Sequence, residues 1–297
     1  MKPYLILSSF GTGSTYLRRS LTFWIHELLD SRVSNPHELL NGIALVDNRL
    51  IKQWMDINEQ SFARIQQCLE QISTPIVCRI AYEHMINRHE TTKQKIAFYD
   101  FLKDFFNIII VERNNIFDYA MCYGIRKQTD RPPEKQCNNV HSVRERKQLY
   151  ADKAFTVDTN AVIYSSNLYV DYIDFVDTYF PSETRIEYED LSLDIDNILQ
   201  EIAPSSMTIK QKYGLSIAEY TACGYLSSID SSNGYVQQVA TLVDKLSAKI
   251  NLLCEQKILL DPIPIKSTTT ADKMNKVVNF DECVAAYNKW KENIAVD

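Results

Sequence analysis

The stretch from Ser8 to Arg19 reads S-S-F-G-T-G-S-T-Y-L-R-R and carries the clearest chemical signal in the chain. Gly11 and Gly13 allow backbone angles that other residues resist, and they let amide groups approach a ligand closely. Leu17, Leu21, Trp24, Ile25 and Leu28 then recur at helical spacing, so the loop feeds the start of a helix. A helix start offers unpaired N–H groups and the positive end of its dipole to an anion. The backbone from Thr12 to Tyr16 is therefore expected to cradle an oxyanion. Ser14 and Thr15 add hydroxyl donors, and Arg18, one turn on, adds full positive charge. This is not a Walker A loop, which needs a Lys directly before the Ser at position 14. It is not a dinucleotide fingerprint either, because Tyr16 stands where the third glycine belongs. A plainer alternative is a glycine-containing turn with a Ser helix cap.

A second candidate anion ligand is Arg113. It follows the apolar run N-I-I-I-V at 107–111. A guanidinium at a strand end suits phosphate because it donates two parallel charge-assisted bonds. The plainer alternative is a surface Arg paired with Glu112 or Asp118. Glu38, in N-P-H-E-L-L after the first helix, is a candidate general base, with His37 beside it and His84 further on as rivals. An exposed acidic residue in the first turn of a helix after Pro36 is the alternative for Glu38. Lys266 lies in a Ser/Thr-rich loop near the C-terminus.

These segments resemble the sulfotransferase superfamily. Thr12-Gly13-Ser14-Thr15 fits the last four positions of that family's loop, [KR]-[ST]-G-[ST]-T. Gly13 to Arg18 is similar to the G-T-T-L-M-R of tyrosylprotein sulfotransferases. Arg113-Asn114-Asn115 with Ala120 and Cys122 resembles the 3′-phosphate motif, in which an Arg and a Ser hold the donor's 3′-phosphate. Asn35 to Leu40 resembles the segment of bacterial trehalose-type enzymes that carries the proposed base, with Glu38 in its place. Thr184 to Leu191 (T-R-I-E-Y-E-D-L) resembles the family's Y-E-D-L strand end, in which Glu189 is structural rather than catalytic.

The resemblance implies a P-loop-type three-layer α/β fold and 3′-phosphoadenosine-5′-phosphosulfate (PAPS) as donor, without a metal. It assigns Gly11, Thr12, Gly13, Ser14, Thr15 and Tyr16 to the 5′-phosphosulfate. Arg113, Cys122 and Lys266 fall to the 3′-phosphate, and Glu38 and Arg18 to catalysis. Two departures stand out. The family's loop cation falls at Gly11, leaving Arg18, Arg19 or Arg79 to replace it. The family's Ser falls at Cys122, a weaker hydrogen-bond partner. A non-catalytic relative that binds a nucleotide or a partner is the alternative function. A divergent nucleotide kinase is a third, opposed by the missing Lys.

The elements that must position these residues follow from periodicity. Buried strands are expected at Tyr4–Leu7, 75–80, 107–111 and 184–188. Helices are expected over Leu17–Leu28, 48–72, 93–105, 116–125, 160–180, 192–202, 234–260 and 281–293. Strands alternating with helices imply a parallel sheet with helices on its faces. Ligands of such sheets bind at the carboxyl ends of the strands. The charged, Pro-containing stretch 127–146 reads as a surface loop. One domain over 1–297 is the simplest organisation, with a helical C-terminal part over 233–297.

Composition sets the bounds. The 297 residues are 45% hydrophobic and 24% charged, an ordinary globular balance. A net charge of −6 argues against a nucleic-acid partner. Seven scattered cysteines without a C-x-x-C pair argue for a reducing, cytoplasmic setting. No run approaches the ~20 apolar residues of a membrane span, and the Met1–Ser8 run is too short for a signal peptide. The class of hydroxyl acceptor and the oligomeric state leave no mark in the sequence.

Overall fold

A computed structural model describes residues 2–29, 76–86, 91–128, 154–202 and 273–294, together with Ala63, Gln66, Glu70, Gln211 and Ala248. The chain is an α/β protein, and its described residues form a four-stranded parallel sheet. The strands are β1 (Tyr4–Ser8), β2 (Val77–Ala81), β3 (Asn107–Glu112) and β4 (Thr184–Glu187). Their order across the sheet is β2-β1-β3-β4.

The runs of β1, β2 and β3 are almost entirely apolar, as in strands covered on both faces. Leu5, Ile6, Leu7, Val77, Cys78, Ile80, Ile110 and Val111 are fully buried. In β4 only Ile186 is buried. The register pairs Ser8 with Ala81 on one side and with Val111 on the other. The carboxyl ends of β1, β2 and β3 are therefore level.

The helices are α1 (Ser14–Leu29), α2 (Tyr82–Ile86), α3 (Thr92–Phe105), α4 (Ile116–Gln128), α5 (Thr159–Tyr179), α6 (Leu191–Ile202) and α7 (Phe280–Ile294). A single 3-10 turn, Tyr188–Asp190, joins β4 to α6. α3 starts one residue earlier than periodicity predicts because T-T-K-Q forms a capping box. The Thr91 hydroxyl accepts from the Gln94 N–H, and the Gln94 side chain accepts from the Thr91 N–H at 2.9 Å. α4 is capped by Asn115, whose Oδ1 accepts from the Asp118 N–H at 3.1 Å. It runs to Gln128, into the first two residues of the expected surface loop; positions 129–146 lie outside the described residues. So do the helix expected over 234–260, apart from helical Ala248, and that over 48–72, apart from helical Ala63, Gln66 and Glu70.

The chain forms two compact units. The first contains the sheet, α1, α2, α3, α6 and the last turn of α5 from Phe175. α1 packs on β1, β2 and α6. Its aromatic cluster joins Tyr99 to Phe175, Tyr179 and Phe180.

The second unit contains α4, α5 up to Asp174, and α7. Its core is Ala120, Met121, Ile125, Phe155, Val157, Val162, Val277 and Cys283. Phe155 and Val277 form a short bridge that periodicity does not reveal. The Asn279 side chain exchanges two hydrogen bonds with the Val157 backbone, at 2.9 and 2.8 Å. Among the described residues, no helix is long and apolar enough to cross a membrane.

Candidate functional site

The order β2-β1-β3-β4 fixes where a ligand is expected. The connection from β1 leads to β2 on one side, and that from β3 leads to β4 on the other. β1 and β3 are thus adjacent strands whose outgoing chains diverge, and open parallel sheets bind ligands at that crevice. The glycine loop leaves β1 at this point. β3 ends beside it at Glu112, one residue before Arg113.

The loop is shaped by its glycines and held by side chains from distant strands. Gly11 has φ 92° and Gly13 has φ 82°, both in the region glycine favours. A Cβ on Gly13 would stand 2.6 Å from the Tyr188 ring and 2.9 Å from Leu191 Cδ1. The Y-E-D-L segment therefore serves the loop through Tyr188 and Leu191, while Glu189 is exposed.

Within the loop, the Thr12 hydroxyl donates to the Ser9 carbonyl at 2.8 Å. Glu83, on α2 and buried, accepts from the Ser9 hydroxyl at 2.6 Å and from the Phe10 N–H at 2.8 Å. His84 lays its ring edge-on to Phe10, with centroids 5.1 Å apart.

Positive charge reaches the loop from β2. Arg79 Nη1 donates to Thr15 Oγ1 at 2.5 Å and to Ser14 Oγ at 3.2 Å. Arg79 thus stands at the first turn of α1, against the two hydroxyls singled out by sequence. Arg18 and Arg19 are 1% and 2% exposed. Burial pushes the Cys78 thiol well above its ordinary range, and the Arg18 charge pulls in the opposite direction. Thr12, Ser14 and Tyr16 are buried, Gly13 and Thr15 half-buried, and Gly11 exposed.

Arg113 is buried rather than a surface residue. The Glu112 carboxylate takes a different partner, Arg185 Nη1 at 2.7 Å, and Arg185 also pairs with Asp177 at 2.6 Å. Burial lifts the Glu112 carboxyl above its ordinary value; Arg185 opposes this and Asp177 adds to it.

Arg113 itself is held through its backbone. Its N–H donates to the Tyr169 hydroxyl, and that hydroxyl donates to the Arg113 carbonyl at 2.9 Å. Tyr169 is buried on α5 and packs on Tyr119 of α4, with centroids 4.4 Å apart. Cys122 is a half-buried free thiol on α4. Glu38, His37 and Lys266 lie outside the described residues.

The sequence singles out the loop glycines, the Ser14 and Thr15 hydroxyls and Arg113, and the structure places the glycines and hydroxyls at the junction of β1 and α1 and Arg113 just past β3. The sequence does not single out Glu83, Tyr169 or Tyr188, whose contacts with the loop or with Arg113 span long sequence separations. An apolar strand interrupted by one Arg and followed two residues on by a Glu (C-R-I-A-Y-E) was the available hint for β2 and α2.

No protein-family model matches the chain, and a search of curated proteins finds no match.

Proposed function

We propose that the protein is a PAPS-dependent sulfotransferase of P-loop-type fold, moving a sulfuryl group to an acceptor hydroxyl. One observation carries this reading. A loop with two positive-φ glycines runs from the central β1 into a 16-residue helix whose first hydroxyls are held by a guanidinium. Amide N–H groups, a helix dipole and a cation converging on one turn are what a multiply charged oxyanion requires.

In this reading the amides from Thr12 to Tyr16 bind the 5′-phosphosulfate. Arg79, already at the turn, supplies the charge that Gly11 does not, with Arg18 behind it. Arg113, with Cys122 and Lys266, takes the 3′-phosphate. Glu38 removes the acceptor's proton as its oxygen attacks sulfur in line. The new O–S bond forms as the bond from sulfur to the bridging phosphate oxygen breaks. Adenosine 3′,5′-bisphosphate leaves with the electron pair and the negative charge that the cations stabilise.

Calorimetric titration with adenosine 3′,5′-bisphosphate is expected to show saturable binding; no heat at high protein concentration would overturn the reading. Glu38→Gln is expected to keep that binding and to abolish sulfate transfer from labelled donor to a panel of hydroxyl acceptors.

One observation favours a second reading. The family's loop cation falls on Gly11, and φ 92° there disfavours any residue with a side chain. A non-catalytic relative would bind the nucleotide yet transfer no sulfate from labelled donor in the wild-type assay.

A further inference from the structure

We infer that Tyr169 is a positioning residue: by clamping the backbone of Arg113 it gives the protein its preference for nucleotides that carry a 3′-phosphate. This rests on the proposed donor, whose second phosphate is assigned to Arg113.

The case begins with where Arg113 sits. It lies beyond the last residue of β3 and ahead of Asn115, the cap of α4, so it belongs to neither regular element. Buried backbone N–H and C=O groups at such a position need partners from outside the ladder and the helix. One oxygen atom supplies both. The Tyr169 hydroxyl accepts from the Arg113 N–H and donates to the Arg113 carbonyl. Its donor and one acceptor site are thus spent on a single residue.

The clamp is itself fixed. Tyr169 is 1% exposed and sits on α5, a 21-residue helix. Its ring lies against Tyr119, and against Tyr172 with centroids 5.8 Å apart. Within close packing of this kind the hydroxyl has little room to swing.

A guanidinium grips phosphate through a planar fork, so its value depends on aim. Aim begins at the Cα–Cβ direction, which the backbone sets. The Arg113 side chain is 4% exposed, leaving it little freedom to correct a backbone error. Tyr169→Phe keeps the ring and its packing but removes both hydrogen bonds. The loss should therefore fall on the phosphate that Arg113 holds and on no other part of the nucleotide.

The test compares adenosine 3′,5′-bisphosphate with adenosine 5′-monophosphate, which lacks the 3′-phosphate, on the full chain. The expected result for Tyr169→Phe is about tenfold weaker binding of the bisphosphate with the monophosphate unchanged. Arg113→Lys should show the same selective loss, and the double variant should lose no more than Arg113→Lys alone, because the two residues act as one. Equal weakening of both nucleotides, no change in either, or additive losses would overturn the inference while leaving the donor reading in place. Failure of the wild-type chain to bind the bisphosphate would remove the donor reading and this inference together. If Tyr169→Phe does not fold, amide hydrogen exchange on the wild-type protein decides: the Arg113 N–H is expected to be protected, and rapid exchange there would exclude the clamp.

Discussion

At the scale of single residues, Gly13 meets two demands at once. Its φ of 82° disfavours any side chain, and the Tyr188 ring occupies the space a Cβ would need. Gly11 has a similar φ of 92° but is exposed. The two alanine variants should therefore differ. Gly11→Ala is expected to cost about 1 kcal/mol from backbone strain alone. Gly13→Ala adds a core clash and should cost about 3 kcal/mol. Urea unfolding of both variants checks this, and equal losses would show that Tyr188 simply moves aside. The glycines were legible in the sequence because small residues between a strand and a helix have few other uses. The ring that makes one of them irreplaceable was not legible, since nothing near residue 13 announces a neighbour that follows β4. Arg113 was legible as a strand-end cation, but its burial was not, because partners such as Tyr169 are brought in only by folding.

Among the elements, β2 with the short α2 contributes most to the site beyond its own length. Arg79 from the strand reaches the head of α1, and Glu83 from the helix receives the Ser9 hydroxyl and the Phe10 N–H. Removing that acceptor takes a hydrogen bond from two donors, at a cost of about 1–3 kcal/mol. Glu83→Ala should therefore weaken adenosine 3′,5′-bisphosphate at least tenfold and lower the melting temperature. Glu83→Gln, which keeps an acceptor oxygen, should lose less of both. Calorimetry with parallel thermal melts tests the pair, and a wild-type affinity in the alanine variant would show that the carboxylate does not shape the loop. The strand was predictable from its apolar run. The helix was not, because five residues are too few for a 3.6-residue period to register.

At the scale of the molecule, the parallel sheet follows from alternation of strand and helix in the sequence, but the strand order does not. Only the order β2-β1-β3-β4 makes β1 and β3 the diverging pair beside which the glycine loop opens. That arrangement bears on time as well as place. The bonds that Arg79 and Glu83 make to the loop and the head of α1 join residues 64 to 74 positions apart, and every strand pairing among the described residues is non-local. Closing such contacts is slow, since chain entropy is lost before any bond rewards it. The turn is consequently no autonomous motif; it takes its shape from strands that must dock first. Refolding followed by a fluorescent nucleotide should thus regain binding only with the last kinetic phase. Binding in the dead time of mixing would mean that the glycines alone suffice.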